Sequence, residues 1–190
     1  MILIDKLKTN KGESRPEFEA KMRNICRLLS INPDWLMMVM FMESGLDAQR
    51  VNKQSGDPDD SYKRSESRAT GLIQFMPDTA RTMGTTNKEL YKMTAIEQLN
   101  YVYQYFKHYA GQIKSFHDLY LITFFPAAIG KSDDFVFQTK KIPASAIASQ
   151  NSALDFNKDG RVTVAEFKEY LLKRVPSALV QFVMEKKSTA

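Results

Sequence analysis

The stretch "INPDWLMMVMFMESG" (31–45) limits the possible fold more than any other part of this chain. Every residue from Trp35 to Met42 is apolar. Asn32 reads as an N-cap, Pro33 and Asp34 open a first turn, and Gly45 is a left-handed stop, so the run is bounded as a helix. A helix that is apolar on all sides has no face to offer water and must lie at the centre of a domain. Its neighbours then have to supply apolar stripes that cover it.

The neighbouring segments carry such stripes. A helix is predicted from Pro16 to Leu29, with Phe18, Met22, Ile25, Cys26 and Leu29 on one side. "MPDTARTMG" reads as a short helix opened by Pro77 and closed by Gly84. "TAIEQLNYVYQYFKHY" starts with a capping box formed by Thr94 and Glu97. "FHDLYLITFF" is a further apolar helix, ended by Pro126. Residues 47–68 are polar, broken by Gly56 and Pro58, and read as a long surface loop. The expectation is an all-α domain over residues 1–140, followed by a segment of different character over 141–190.

Composition excludes several classes. With 190 residues, 43% hydrophobic and 26% charged, the chain is neither disordered nor fibrous. The single cysteine, Cys26, cannot form an intramolecular disulfide and offers no thiolate zinc spacing. The net charge of +5 is dispersed apart from pairs such as Lys140-Lys141 and Lys186-Lys187. Basic and aromatic residues do not interleave as in a nucleic-acid module, so no nucleic-acid partner is expected. No segment approaches the roughly 18 apolar residues of a membrane span. The N-terminal "MILIDKLKTNKGESRP" does not read as a signal peptide. Oligomeric state is unreadable from the sequence.

A charged residue ends the apolar helix. Glu43 falls in its last turn, where the macrodipole and apolar neighbours both disfavour a carboxylate. A carboxyl kept protonated near neutrality is what a general acid requires, although on helix position alone a glutamate tied to an arginine or capping a loop is the plainer account. Further on, "ATGLIQFMPDTA" (69–80) sets Gly71 before an expected extended Leu-Ile-Gln. Gly71 allows close approach of backbone to a ligand, and the Gln74 amide can both donate and accept, as sugar recognition requires. A glycine turn leading into the core is the plainer alternative.

Taken together, "ESG" at 43–45 and "ATGLIQFMPDTA" at 69–80 resemble the lytic transglycosylase family, which has the lysozyme fold and is related to goose-type lysozymes. The resemblance covers about residues 20–135. It implies Glu43 as the single catalytic acid/base and Ser44 as a residue that orients the substrate or the acid. It implies Gly71, Leu72, Gln74 and Met76 as lining of a glycan cleft. A third family motif, Ala-Tyr-Asn-x-Gly, is replaced by "TFFPAAIGK" (123–131), which puts Phe124 or Phe125 in place of the tyrosine. The substitution keeps the ring and loses its hydroxyl.

The family reaction cleaves the β-1,4 bond from N-acetylmuramic acid to N-acetylglucosamine in peptidoglycan and gives a 1,6-anhydro-muramic product. A hydrolytic muramidase is the alternative enzyme, with Asp57, Asp59 or Asp60 of the polar loop as conceivable bases for water. A catalytically weak, calcium-dependent wall-binding scaffold is the alternative outside catalysis. The resemblance implies action at the bacterial cell wall, in the periplasm or outside the cell. The absence of a leader fits a phage, secretion-system or processed protein.

The C-terminal segment contains "DFNKDGRVTVAE" (155–166). Asp155, Asn157, Asp159 and Glu166 occupy positions 1, 3, 5 and 12 of an EF-hand calcium loop, with Gly160 at position 6. Arg161 would add a backbone carbonyl at position 7, and Thr163 a side chain or bridging water at position 9. The predicted cofactor is therefore Ca²⁺, structural rather than catalytic, although an all-oxygen set leaves Mg²⁺ or Na⁺ open. A good helix follows the loop, whereas the preceding "IPASAIASQNSAL" reads as poor in helix.

Overall fold

The structure is a computed structural model that describes residues 1–9 and 12–184. The Lys186-Lys187 pair lies outside the described residues. Ten α-helices occur in them: α1 (Arg15–Leu29), α2 (Pro33–Ser44), α3 (Ser61–Ser65), α4 (Pro77–Thr82), α5 (Asn87–Lys92), α6 (Ala95–Phe106), α7 (Phe116–Phe124), α8 (Ala144–Gln150), α9 (Val164–Arg174) and α10 (Val180–Met184). Only isolated β-bridges are present among the described residues. The fold is all-α, as expected of a lysozyme-like domain.

α2 is the centre. Trp35, Leu36, Met37, Met38, Val39 and Met40 are all at most 2% exposed, and burial of each side chain is worth about 1.5–3 kcal/mol. Its boundaries follow from local chemistry. The Asn32 side chain accepts the Asp34 N–H, and Gly45 adopts φ 67°, a conformation that costs glycine little. α1 packs on α6, α7 on α2, and α10 on α2 from the C-terminal side. The capping box of α6 is present, with the Thr94 side chain and Glu97 exchanging hydrogen bonds. No single helix among the described residues is long and apolar enough to cross a membrane.

Three expectations are corrected. The 47–68 loop contains the short helix α3, capped by Asp60. The Leu-Ile-Gln of the second motif is not extended: Thr70 and Phe75 pair across a tight turn formed by residues 71–74. Residues 144–150 form a helix before the presumed metal loop, because Ile147 and Ala148 bury into the common core and packing outweighs weak propensity. That core is continuous: Leu154, Phe167, Leu171 and Val183 belong to the same apolar cluster as α2.

Candidate active site

Glu43 sits half-buried in the last turn of α2. Burial pushes its carboxyl above the ordinary value of 4.5, while a hydrogen bond from Tyr120 and the charge of Arg174 pull it partly back. Tyr120 is on α7 and only 5% exposed, and its hydroxyl donates to Glu43 Oε1. With Oε1 accepting that bond, the proton of the neutral acid belongs on Oε2. Tyr105 of α6 donates to the Ile122 carbonyl at 3.0 Å. Burial, Tyr109 and the nearby Glu43 push its pKa up to about 12.

Two further contacts fix the end of α2. Ser44 is buried, and its hydroxyl bridges the Met40 carbonyl at 2.9 Å and the Leu72 carbonyl at 3.0 Å. The second motif thus clamps the helix end that carries Glu43. Leu72 in turn donates its N–H to Gln98 Oε1 at 2.9 Å. Gln98 is fully buried, and its amide also donates to Ala48 and Leu90 carbonyls, both at 2.7 Å. All of its strong polar capacity is spent on cross-linking the loop, α5 and the motif.

This network gives the residues of the motif structural partners. Gly71 has φ 86°, and a Cβ there would come within 2.5 Å of Gln98 Oε1. Its freedom therefore serves a close approach to Gln98. Ser44 and Leu72 are both buried and bonded internally, Ser44 to the Leu72 carbonyl and the Leu72 N–H to Gln98. Gln74 holds a left-handed φ of 53°, and its amide nitrogen donates to Arg50 and Gly71 carbonyls at 3.1 and 3.0 Å. Met76 is 57% exposed beside the start of α4. Both remain at the surface, outside the Glu43 pocket.

The pocket has a volume of about 360 Å³. Glu43, Tyr120 and Phe124 form one side, and the other comes from residues 150–154 and from Phe167, Tyr170, Leu171 and Arg174 of α9. The boundary expected near residue 140 thus runs through the pocket. Phe124 stacks on Phe167 with centroids 5.0 Å apart. Phe125, expected to line the cleft, instead stacks on Phe137 at 4.8 Å and joins the two segments outside the pocket. Tyr120, one helical turn before Phe124, supplies a hydroxyl to Glu43 in this structure. The cue was a lone tyrosine on an apolar helix, and nothing local tied it to Glu43.

Among the described residues, no other carboxylate lines this pocket. Asp57 is clamped by Arg68, with the guanidinium 2.6 Å from Oδ1, which holds its carboxyl below the usual range together with the Gln54 N–H. Asp59 pairs with Lys53 at 3.2 Å, and Asp60 caps α3. Asp57 and Asp60 have structural tasks elsewhere, and Asp59 stands in solvent outside the pocket.

The 155–166 loop directly joins the two stretches of pocket wall. Asp155 accepts the Asp159 and Gly160 N–H groups at 3.1 and 3.0 Å, and Asn157 Oδ1 accepts Asp159 N–H at 2.9 Å. Asp159 Oδ1 accepts the Arg161 N–H at 2.9 Å. Glu166 Oε2 accepts from the Thr163 N–H and hydroxyl at 2.9 and 2.8 Å. Its other oxygen, Oε1, is buried and has no hydrogen-bond partner. No three His, Cys, Asp or Glu side chains among the described residues converge as a ready cage. The orphaned Oε1 and the left-handed Lys158 and Gly160 (φ 59° and 78°) nevertheless suit a loop that wraps a cation.

The family profile described as "Transglycosylase SLT domain" matches residues 26–122. Comparison with curated proteins and with solved structures returns no match. The matched region runs from α1 through α7 and holds Glu43, the 69–80 motif and Tyr120. It covers just over half of the chain, which therefore belongs to the transglycosylase SLT domain family.

Proposed function

We propose that this protein is a peptidoglycan lytic transglycosylase acting at the bacterial cell wall, with Glu43 as its single general acid/base. Membership of the SLT family supports lytic transglycosylase activity. The observation that carries the finer reading is the pocket itself. Glu43 is the one carboxyl among the described residues that line it, made a weaker acid by burial and oriented by Tyr120.

Such a site suits a reaction that needs one carboxyl in two protonation states. A glycosidase of the usual kind needs two carboxylates. Neutral Glu43 would give its proton to the glycosidic oxygen as the bond to C1 of the muramic sugar breaks, with that sugar's acetamido oxygen stabilising C1. Glu43, now a carboxylate, would take the proton of the C6 hydroxyl as O6 bonds to C1. The 1,6-anhydro ring closes, the acid is regenerated, and no water is consumed. Tyr120 would hold Oε1 through both steps, leaving Oε2 to carry the proton.

The same proposal includes a calcium ion in the C-terminal loop. Asp155, Asn157, Asp159 and Glu166 would hold it by their side chains, Arg161 by its carbonyl, and Thr163 directly or through water. The ion supplies charge neutralisation to the loop and no chemistry to the glycan step. Its place between the two stretches of pocket wall makes it a brace for the cleft.

Mass spectrometry of purified wall digested by the wild type and by Glu43→Gln tests the assignment. The expected products end in 1,6-anhydro-muramic acid and vanish with the variant. Reducing muramic ends would make the enzyme a hydrolase, and no products at all would leave a wall-binding protein.

A further inference from the structure

We infer that the pocket wall contributed by α9 is a subsite for the carboxylate-bearing peptide substituent of the muramic sugar, with Arg174 as the residue that recognises the carboxylate. The inference rests on the reading of the Glu43 pocket as a muramyl-glycan site and names the part of the substrate it selects.

Arg174 is the basic residue of α9 that has no carboxylate. Lys168 pairs with Asp133 and Lys173 with Glu169, both at 2.6 Å, whereas Arg174 makes no ion pair among the described residues. Its guanidinium instead lies 5.5 Å over the Tyr170 ring. That stacking orients the planar fork while leaving its donors available. The side chain opens onto the same pocket as Glu43 without reaching it as a salt bridge. The charge is nonetheless close enough to lower the Glu43 pKa.

When Glu43 is neutral, Arg174 is the one charge among the described residues that line the pocket. A ligand group suited to it is an anion of planar, bidentate shape. The sugar rings of the wall glycan are uncharged. The carboxylates nearest the scissile bond lie on the lactyl-peptide substituent at C3, on the same ring whose C1 reacts. On the same wall as Arg174, Gln150 and Ser152 also line the pocket; their side chains make no hydrogen bonds among the described residues, so they can meet peptide amides. Phe124, Ala153, Leu154, Phe167 and Leu171 give the pocket its apolar surface.

The test measures binding, so that turnover is not required, using Glu43→Gln with and without Arg174→Met. Three soluble probes are compared by calorimetry: a muramyl disaccharide-peptide with free carboxylates, the same compound with its carboxylates amidated, and an uncharged chito-oligosaccharide without lactyl groups. Arg174 is exposed, and a thermal melt verifies that the variant is folded. The expected result is a loss of about tenfold or more for the carboxylate-bearing probe, with the other two unchanged and Arg174→Lys intermediate. Equal weakening of all three probes, or equal affinity of the parent for free and amidated peptide, overturns the inference while leaving the glycan reading intact. Failure of every probe to bind removes the glycan reading and this inference with it.

Discussion

Tyr120 on α7 donates its hydroxyl to Oε1 of Glu43 on α2, a contact between residues 77 apart in sequence. The bond joins the two helices that frame the pocket and fixes which carboxyl oxygen is free for chemistry. It also favours the carboxylate, against the larger opposing effect of burial. Removing the hydroxyl therefore has two consequences that a purely structural role would not produce together. Tyr120→Phe should lower kcat about tenfold, from roughly 1.5 kcal/mol of lost orientation. It should also move the alkaline limb of the pH–rate profile upward, because the bond no longer pulls the Glu43 pKa down. An unchanged profile with reduced kcat would confine Tyr120 to packing.

Glu43→Gln should abolish activity and yet stabilise the protein above the Glu43 pKa. The sign follows from linkage. The folded-state pKa is raised above 4.5, so folding favours the protonated form. The stability tied to that form is fully present below the unfolded value and is lost as pH rises through the folded value. Glutamine keeps the shape, still accepts from Tyr120, and never ionises. Its melting temperature should exceed that of the wild type at neutral pH and match it near pH 4. A variant that melts lower at both pH values would contradict this account of Glu43.

These two residues illustrate what was legible in the sequence. Glu43 stood out because its cues are local: an apolar helix bounded by Asn32 and Gly45, with a charge at its end. The Thr94–Glu97 capping box was readable for the same reason. Tyr120 was not, because its role depends on how α7 is rotated against α2. Gly71 is legible as a turn or close approach, but nothing in the local sequence points to Gln98 as the group against its backbone. The C-terminal loop reads as a calcium loop from its ligand spacing alone. That α9 turns back to wall the pocket arises from burial of Phe167 and Leu171 against the core, a tertiary fact with no local signature.

Gly71→Ala should destabilise the fold by about 3 kcal/mol, the sum of left-handed strain and a disturbed buried hydrogen-bond network. For a chain of this size the melting temperature should fall by about 10 °C. The double-mutant cycle with Gln98→Ala gives the decisive comparison. Gln98→Ala removes the atom that the new Cβ would meet at 2.5 Å, so the two losses should be less than additive. Additive losses would mean that Gln98 does not dictate glycine at 71.

Calcium should raise the melting temperature of the wild type and tighten substrate binding, leaving the bond-breaking step unaltered. A ligand held at a hundred times its Kd by the folded state alone stabilises it by about 2.7 kcal/mol. The loop has a buried Glu166 oxygen with no partner, which a cation would satisfy. It also joins both stretches of wall facing Glu43, so loosening it should disturb the cleft more than the acid. With chelator, KM is expected to rise while kcat holds, and Asp155→Ala should show the same KM without response to added calcium. Calcium shifting the melting of wild type and Asp155→Ala equally would move the binding site elsewhere. A fall in kcat with KM unchanged would assign the ion to the chemistry, against the single-carboxyl route through Glu43.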